Sequence, residues 1–211
     1  MSESFTPSFK DILQSIPGVF GIRLEEEPAF DVVETISDVE IRRYQPALIA
    51  QVTVPGDHET ALNRAFTMLA GYIYGGNEAD EKMPMTSPVY QARGDLGAAT
   101  SPVVQGGGGD GWTVGFFLSN TLTPDAAPAP NDKSIELVMQ PETLLGSLRY
   151  SGNNDAGARA AAKERLLATL AGQARWQVVD DVSWAQYDQP FAVPFLKRNE
   201  AHVALAPTGA H

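Results

Sequence analysis

The chain reads as an α+β protein in which a strand-strand-helix-strand-strand unit occurs twice. Two observations carry that reading. Segments of β-forming residues bounded by turn residues recur in the same order in each half, and one helical stretch stands in the middle of each. The composition agrees: 43% hydrophobic and 19% charged residues over 211 positions describe a globular chain able to bury a core.

In the first half, residues 31–36 and 39–44 are rich in β-formers, and Ser37-Asp38 between them signals a turn. Residues 47–54 form a third β-rich run. Gly56-Asp57 then opens a helix, with Asp57 as its N-cap. Leu62, Ala65, Phe66, Leu69, Tyr72 and Ile73 recur at helical spacing and make one apolar stripe, which Gly75-Gly76-Asn77 ends. Residues 85–91 and 112–118 follow as strands. The second half repeats the order, with strands at 134–139 and 147–151. An alanine-rich helix starts at Asn154-Asp155, carries Leu166, Leu167 and Leu170 on its inner side and ends at Gly172. Strands at 176–182, 185–187 and 201–205 complete the set. Neither unit alone has much core, so the two are expected to form one pseudo-symmetric body. Residues 94–111, with a GGGGDG run, read as a hairpin tip, and 121–133 as an extended Pro-rich connection between the halves. Phe9, Ile12, Leu13 and Ile16 fall at helical spacing before Pro17-Gly18, so residues 1–22 are expected to be a helical extension and residues 23–211 a single domain.

A formal net charge of −11 disfavours nucleic acid and anionic membrane as partners. No apolar run approaches membrane-spanning length, and the N-terminus lacks the basic and apolar regions of a secretory signal. The chain has no cysteine, which removes disulfides, zinc-thiolate and iron–sulfur sites and fits a reducing compartment. A cytoplasmic monomer is expected. The glycine run lacks the GK[ST] ending of a phosphate loop, and no HExxH, G-x-S-x-G or EF-hand pattern occurs. His58 reads as an exposed residue near a helix cap and His202 as a half-exposed strand position. Asp180 and Asp181 point to opposite faces of an extended segment and read as solvated charges. The residues themselves define a globular α+β domain without a catalytic constellation.

Four segments, in order, resemble the SOUL haem-binding family. They are Val39-Glu40-Ile41-Arg42-Arg43-Tyr44; Ala65-Phe66 through Leu69-Ala70-Gly71-Tyr72-Ile73 to Gly75-Gly76-Asn77; Lys82-Met83-Pro84-Met85-Thr86-Ser87-Pro88-Val89; and Tyr187-Asp188-Gln189-Pro190-Phe191 with Phe195-Leu196-Lys197-Arg198-Asn199-Glu200. The resemblance covers residues 20 to 205. It implies a distorted antiparallel β-barrel with two flanking helices, and an apolar groove beside the first helix in which haem lies. Haem is a flat apolar disc with two carboxylates, so it needs apolar wall and a basic rim. On this reading Phe66, Met68, Leu69 and Ile73 of the helix form the wall, Met83, Met85 and Val89 add to it, and Arg42, Arg43 and Arg64 meet the propionates. Arg43 stands where some family members carry a histidine considered as an iron ligand, and Asn63 and Gly71 stand where others carry basic residues. The axial ligand stays open between His58, a methionine, a tyrosine and no protein group. The resemblance therefore implies a non-enzymatic carrier or sensor of haem or another tetrapyrrole. Its alternatives are a small-ligand or protein-interaction domain of the same fold, and a tetrapyrrole-processing enzyme.

Overall fold

The computed structural model describes residues 26–84, 86–93, 111–187 and 197–209. The expected N-terminal helix, the tip at 94–110, Met85 and residues 188–196 of the fourth motif lie outside them. The described elements are β1 (Phe30–Ile36), β2 (Val39–Tyr44), β3 (Ala47–Pro55), α1 (His58–Ile73), β4 (Val89–Arg93) and β5 (Gly111–Phe117) in the first half. The second half holds β6 (Glu136–Gln140), β7 (Thr143–Tyr150), α2 (Ala156–Ala171), β8 (Trp176–Val178), β9 (Ser183–Gln186) and β10 (Asn199–Pro207). No described helix is long and apolar enough to cross a membrane.

Local chemistry sets most boundaries. Asp57 caps α1 by accepting from the Thr60 backbone N–H at 3.0 Å, and Asp155 caps α2 by accepting from Ala158 N–H at 2.9 Å. The α1 exit is built by the Gly-Gly-Asn run. Gly75 takes φ +109, Gly76 sits so close to the Gly71 carbonyl that a Cβ there would lie 2.7 Å from it, and the buried Asn77 amide donates to Tyr72 and Glu81 carbonyls. Three strands differ most from expectation. β4 starts at Val89 and not at 85, because Pro84 and Pro88 have no N–H to give a ladder. β7 starts at Thr143 and not at 147, because Gly146 belongs to the strand: a Cβ there would meet Leu170 Cδ1 at 3.1 Å, so glycine lets α2 lie close on the sheet. β8 stops at Val178, and Asp180 bonds the N–H of Asp181 at 2.7 Å in a turn.

All ladders are antiparallel, and the sheet runs β1-β2-β7-β10-β9-β4-β5-β3-β6, with β8 paired to β10. It curls into a half-barrel. The order from β2 to β6 is a palindrome: β2, β7, β10 and β9 of one side match β6, β3, β5 and β4 of the other. The duplication seen in the sequence is therefore a pseudo-two-fold between β9 and β4. Moreover, the first strand of each unit is exchanged, since β2 pairs with β7 and β6 pairs with β3.

Alternation sorts the side chains onto two faces. On one face α1 buries Ala61, Ala65, Leu69, Tyr72 and Ile73 against Leu48, Ala50, Val52 and Val54 of β3 and Val114 and Phe116 of β5. On the same face α2 buries Ala162, Leu166 and Leu170 against Val39, Ile41, Leu148, Ala201, Val203 and Leu205. The opposite face holds Ala47, Ile49, Tyr90, Ala92, Phe117, Ala185 and Tyr187. Because α1 lies over β3 and β5, and α2 over β7, β8 and β10, neither helix lies over the central strands β4 and β9. The helix-facing side of β4 and β9, between α1 and α2, is the candidate cleft.

Candidate ligand-binding cleft

The residues expected to bind ligand fall in three separate places. Arg42 lies on the face away from both helices, where its guanidinium bonds Glu200 at 2.7 Å, Glu40 at 2.7 Å and the Tyr44 hydroxyl oxygen at 3.1 Å. Glu200 is fully buried and also accepts from Arg198 at 3.0 Å, the Tyr187 hydroxyl at 2.8 Å and His202 Nε2 at 2.9 Å. Burial alone would raise this carboxyl, but His202 and Arg42 outweigh it and hold it well below the usual carboxylate range. His202 is fully buried and not half-exposed. Burial lowers its pKa against the opposing pull of Glu200, so the ring is neutral, donating from Nε2 to Glu200 and accepting at Nδ1 from the Tyr90 hydroxyl at 3.2 Å. Every charge in this cluster is answered within it. It ties β2 to β10 across β7, and Arg42 has no free donor edge to turn toward a ligand on the helix face.

Leu69, Ile73 and Met83 lie in the core beneath α1. Phe66 and Met68 are half-buried, yet two residues on a helix are about 160° apart, so they stand on opposite flanks. Met68 shares its flank with Arg64, which is exposed, and with Tyr72, whose hydroxyl donates to the Pro128 carbonyl of the connection at 2.9 Å. Phe66 faces the other way and meets Phe116 edge-on at 5.3 Å, with half-buried Val89 paired to Phe116 on the next strand. Arg43 is exposed near Glu142 at the far side of the sheet. The structure thus brings together Phe66 and Val89, and sends Arg42, Arg43, Arg64 and Met68 elsewhere.

Around Phe66 and Val89 stands a group of which sequence reasoning offered only His58, as one of several open axial ligands. His58, in the first turn of α1, is half-buried and not exposed: its Nε2 bonds Gln91 Oε1 at 2.7 Å, and its ring meets Trp112 edge-on at 4.5 Å. Gln91 continues to Gln186 at 3.3 Å. Burial lowers the His58 pKa, against the bond to Gln91 and with nearby Arg159 adding to the fall. Trp112 of β5 and Trp184 of β9 approach to 6.1 Å, and the Arg159 guanidinium carbon lies 5.8 Å from each ring. Arg159 shares the buried stripe of α2 with Ala162, Leu166 and Leu170, and burial pulls its pKa down. Among the described residues it forms no ion pair with a carboxylate. An arginine at i−3 on an apolar helical stripe is a readable signal; its meeting two tryptophans from different strands is not.

These parts fit a flat, apolar, anionic ligand. Leu62, Phe66, Val89 and Trp112 offer partly exposed apolar wall, and Arg159 a buried cation without an ion pair among the described residues. No group of three or more metal-ligating side chains occurs among the described residues.

Two solved structures share the architecture. The C-terminal domain of EcmrR superposes with a TM-score of 0.54 over 80% of this chain and 96% of that one at 10% identity; EcmrR in its complex with DNA superposes with a TM-score of 0.56 over 79% of this chain and 56% of that one at 8% identity. At such identities the likeness is one of fold. Residues 25–204 match the family described as SOUL heme-binding protein, and the chain belongs to that family. It is also 27% identical over 134 residues to heme-binding protein 2 of Mus musculus, a match spanning 60% of each chain.

Proposed function

We propose that the chain binds haem or a related tetrapyrrole reversibly and without turnover, for buffering, transport or sensing, in the cleft between α1 and α2. The observation that carries the reading is Arg159, a buried guanidinium set beside a pair of tryptophan rings and, among the described residues, in no ion pair with a carboxylate. Family membership and the mouse relative's name support the ligand class. Phe66, Val89 and Trp112 would cover a tetrapyrrole face, and Arg159 would meet its acidic edge. His58 is the described histidine that lines this cleft, and its neutral ring is the form that ligates iron. Bound haem would supply an iron whose ligation sets its absorption spectrum. The proposal extends to a monomer in the cytoplasm, in keeping with a cysteine-free chain.

Titration of the purified protein with hemin, followed by Soret absorbance against a control protein of similar charge, tests it. A saturable one-to-one shift is expected, weakened about tenfold or more by Trp112→Ala and unchanged by Arg64→Glu, whose side chain stands on the other flank of α1. Non-saturating binding like the control's overturns the proposal.

A further inference from the structure

Where the cleft reaches α2, the fold buries several polar atoms and leaves them unpaired. Five buried side-chain nitrogens and oxygens lack a hydrogen-bond partner among the described residues, and three of them belong to residues of this region: Trp184 Nε1, Asn154 Nδ2 and Asn199 Oδ1. The register brings them together. Asn199 of β10, fully buried, stands opposite Gln186 on β9 and Tyr150 on β7, and Trp184 is two residues from Gln186 on the same face. Tyr150 donates its hydroxyl to Asn154 Oδ1 at 2.6 Å, and Asn199 Nδ2 donates to the Gly152 carbonyl at 2.9 Å. Arg159 closes the group by donating to the Asn154 carbonyl while its guanidinium carbon lies 5.8 Å from each of the two tryptophan rings.

Buried polar groups are normally paired, so three orphans near one guanidinium that forms no ion pair among the described residues call for a partner. The balance of chemistry identifies it. The indole N–H, the Asn154 amide and the guanidinium edge all donate, and the positive end of α2 adds to them. Asn199 Oδ1 is the one acceptor, and a water that donates one hydrogen to it and one to an anion suits both. The flat rings on either side favour a planar anion carried on an aromatic system over a compact tetrahedral one.

We infer that this pocket takes a carboxylate borne on a flat apolar ring system, paired with Arg159 and accepting from Trp184 and Asn154. The inference rests on the tetrapyrrole reading above. It adds that the acidic edge of the ligand is fixed at α2, by residues of the second half, and not by basic residues along α1.

The test compares protoporphyrin IX with its dimethyl ester, which keeps the ring and loses both negative charges, by porphyrin fluorescence. Wild-type protein is expected to bind the diacid at least tenfold more tightly than the ester. Arg159→Met and Trp184→Phe should each bring that ratio toward one by weakening the diacid several-fold more than the ester. Trp184→Phe keeps an aromatic face while removing the indole N–H with its five-membered ring, so it serves where Arg159→Met disturbs folding, as circular dichroism of each variant will show. Equal binding of diacid and ester by wild type, or a ratio that neither substitution moves, overturns the carboxylate pocket and leaves tetrapyrrole binding standing. Failure of hemin, diacid and ester alike to saturate overturns the tetrapyrrole reading, and the pocket with it.

Discussion

At Glu200 two of the family motifs, 158 residues apart, close on a single carboxylate. Arg42, Arg198, His202 and Tyr187 all converge on it, so removing one member leaves a buried charge without its partner. Arg42→Met is expected to cost about 3–5 kcal/mol by urea denaturation, and Arg42→Met with Glu200→Gln together less than the sum of the two. The same cluster makes the fold sensitive to acid. His202 has a depressed pKa in the folded state, so below the ordinary histidine value of about 6.5 the unfolded chain takes a proton that the folded chain refuses. Its contribution is complete above that pH and is lost as pH falls toward the folded value. Glu200, held ionised, adds a further loss below about pH 4.5. Unfolding free energy should therefore be level above pH 7 and fall on acidification by up to about 1.4 kcal/mol per pH unit for each such group. His202→Gln should flatten the fall between pH 6.5 and 5; an unchanged slope would remove His202 from this role. The approach of Arg198 to Glu200 is local in the chain, since the two are two residues apart, Arg198 just before β10 and Glu200 within it. The link from Arg42 to Glu200 is not, because strand order decides it and β7 of the other half intervenes.

For the elements, α1 shows how far periodicity carries. The stripe from Leu62 to Ile73 located the helix and its inner face, and the Asp57 cap and Gly75-Gly76-Asn77 exit fixed its ends. What the pattern could not supply is which flank stays open, since that depends on where β6 and the Pro-rich connection run. Leu69 and Phe66 looked equivalent from spacing, yet Leu69 is sealed under the helix and Phe66 borders the cleft. Leu69→Ala should thus cost about 2–5 kcal/mol, the range for a sealed core position. Phe66→Ala should cost less than the roughly 3–5 kcal/mol of a fully buried phenylalanine, while weakening hemin binding. Thermal denaturation and Soret titration of both variants check the pair, and a stability loss for Phe66→Ala as large as for a sealed ring would place it in the core. The cleft itself was legible in Phe66 and Val89, and in His58 as one open candidate for an axial ligand. Trp112, Trp184, His58 and Arg159 come from four elements in both halves, and nothing local marks them as neighbours.

The whole molecule is governed by the palindromic sheet. Sequence showed the unit twice, and the natural expectation from local order is that each unit pairs within itself. Instead β2 leaves its own half to lie on β7, and β6 leaves its own to lie on β3. Each half consequently depends on the other for an edge: without the second half, β2 keeps only β1, and β3 keeps only β5. The cleft has the same dependence, since its floor is the β4–β9 pair and its two walls are α1 and α2. Cutting the chain within the connection at residues 121–133 separates the units without severing a strand or a helix. Each fragment alone then exposes unpaired strand edges and the apolar surface that the exchanged strand covered. Neither fragment should show a cooperative unfolding transition or a near-ultraviolet spectrum of ordered tryptophans. Mixed in equal amounts, the two should reassemble one-to-one, restoring the near-ultraviolet signal and the hemin response together, because Trp112 and Trp184 are contributed by different fragments. Cooperative melting of either fragment by itself would mean that a half can pair internally, and that exchange of the first strands is not what holds the two units as one body.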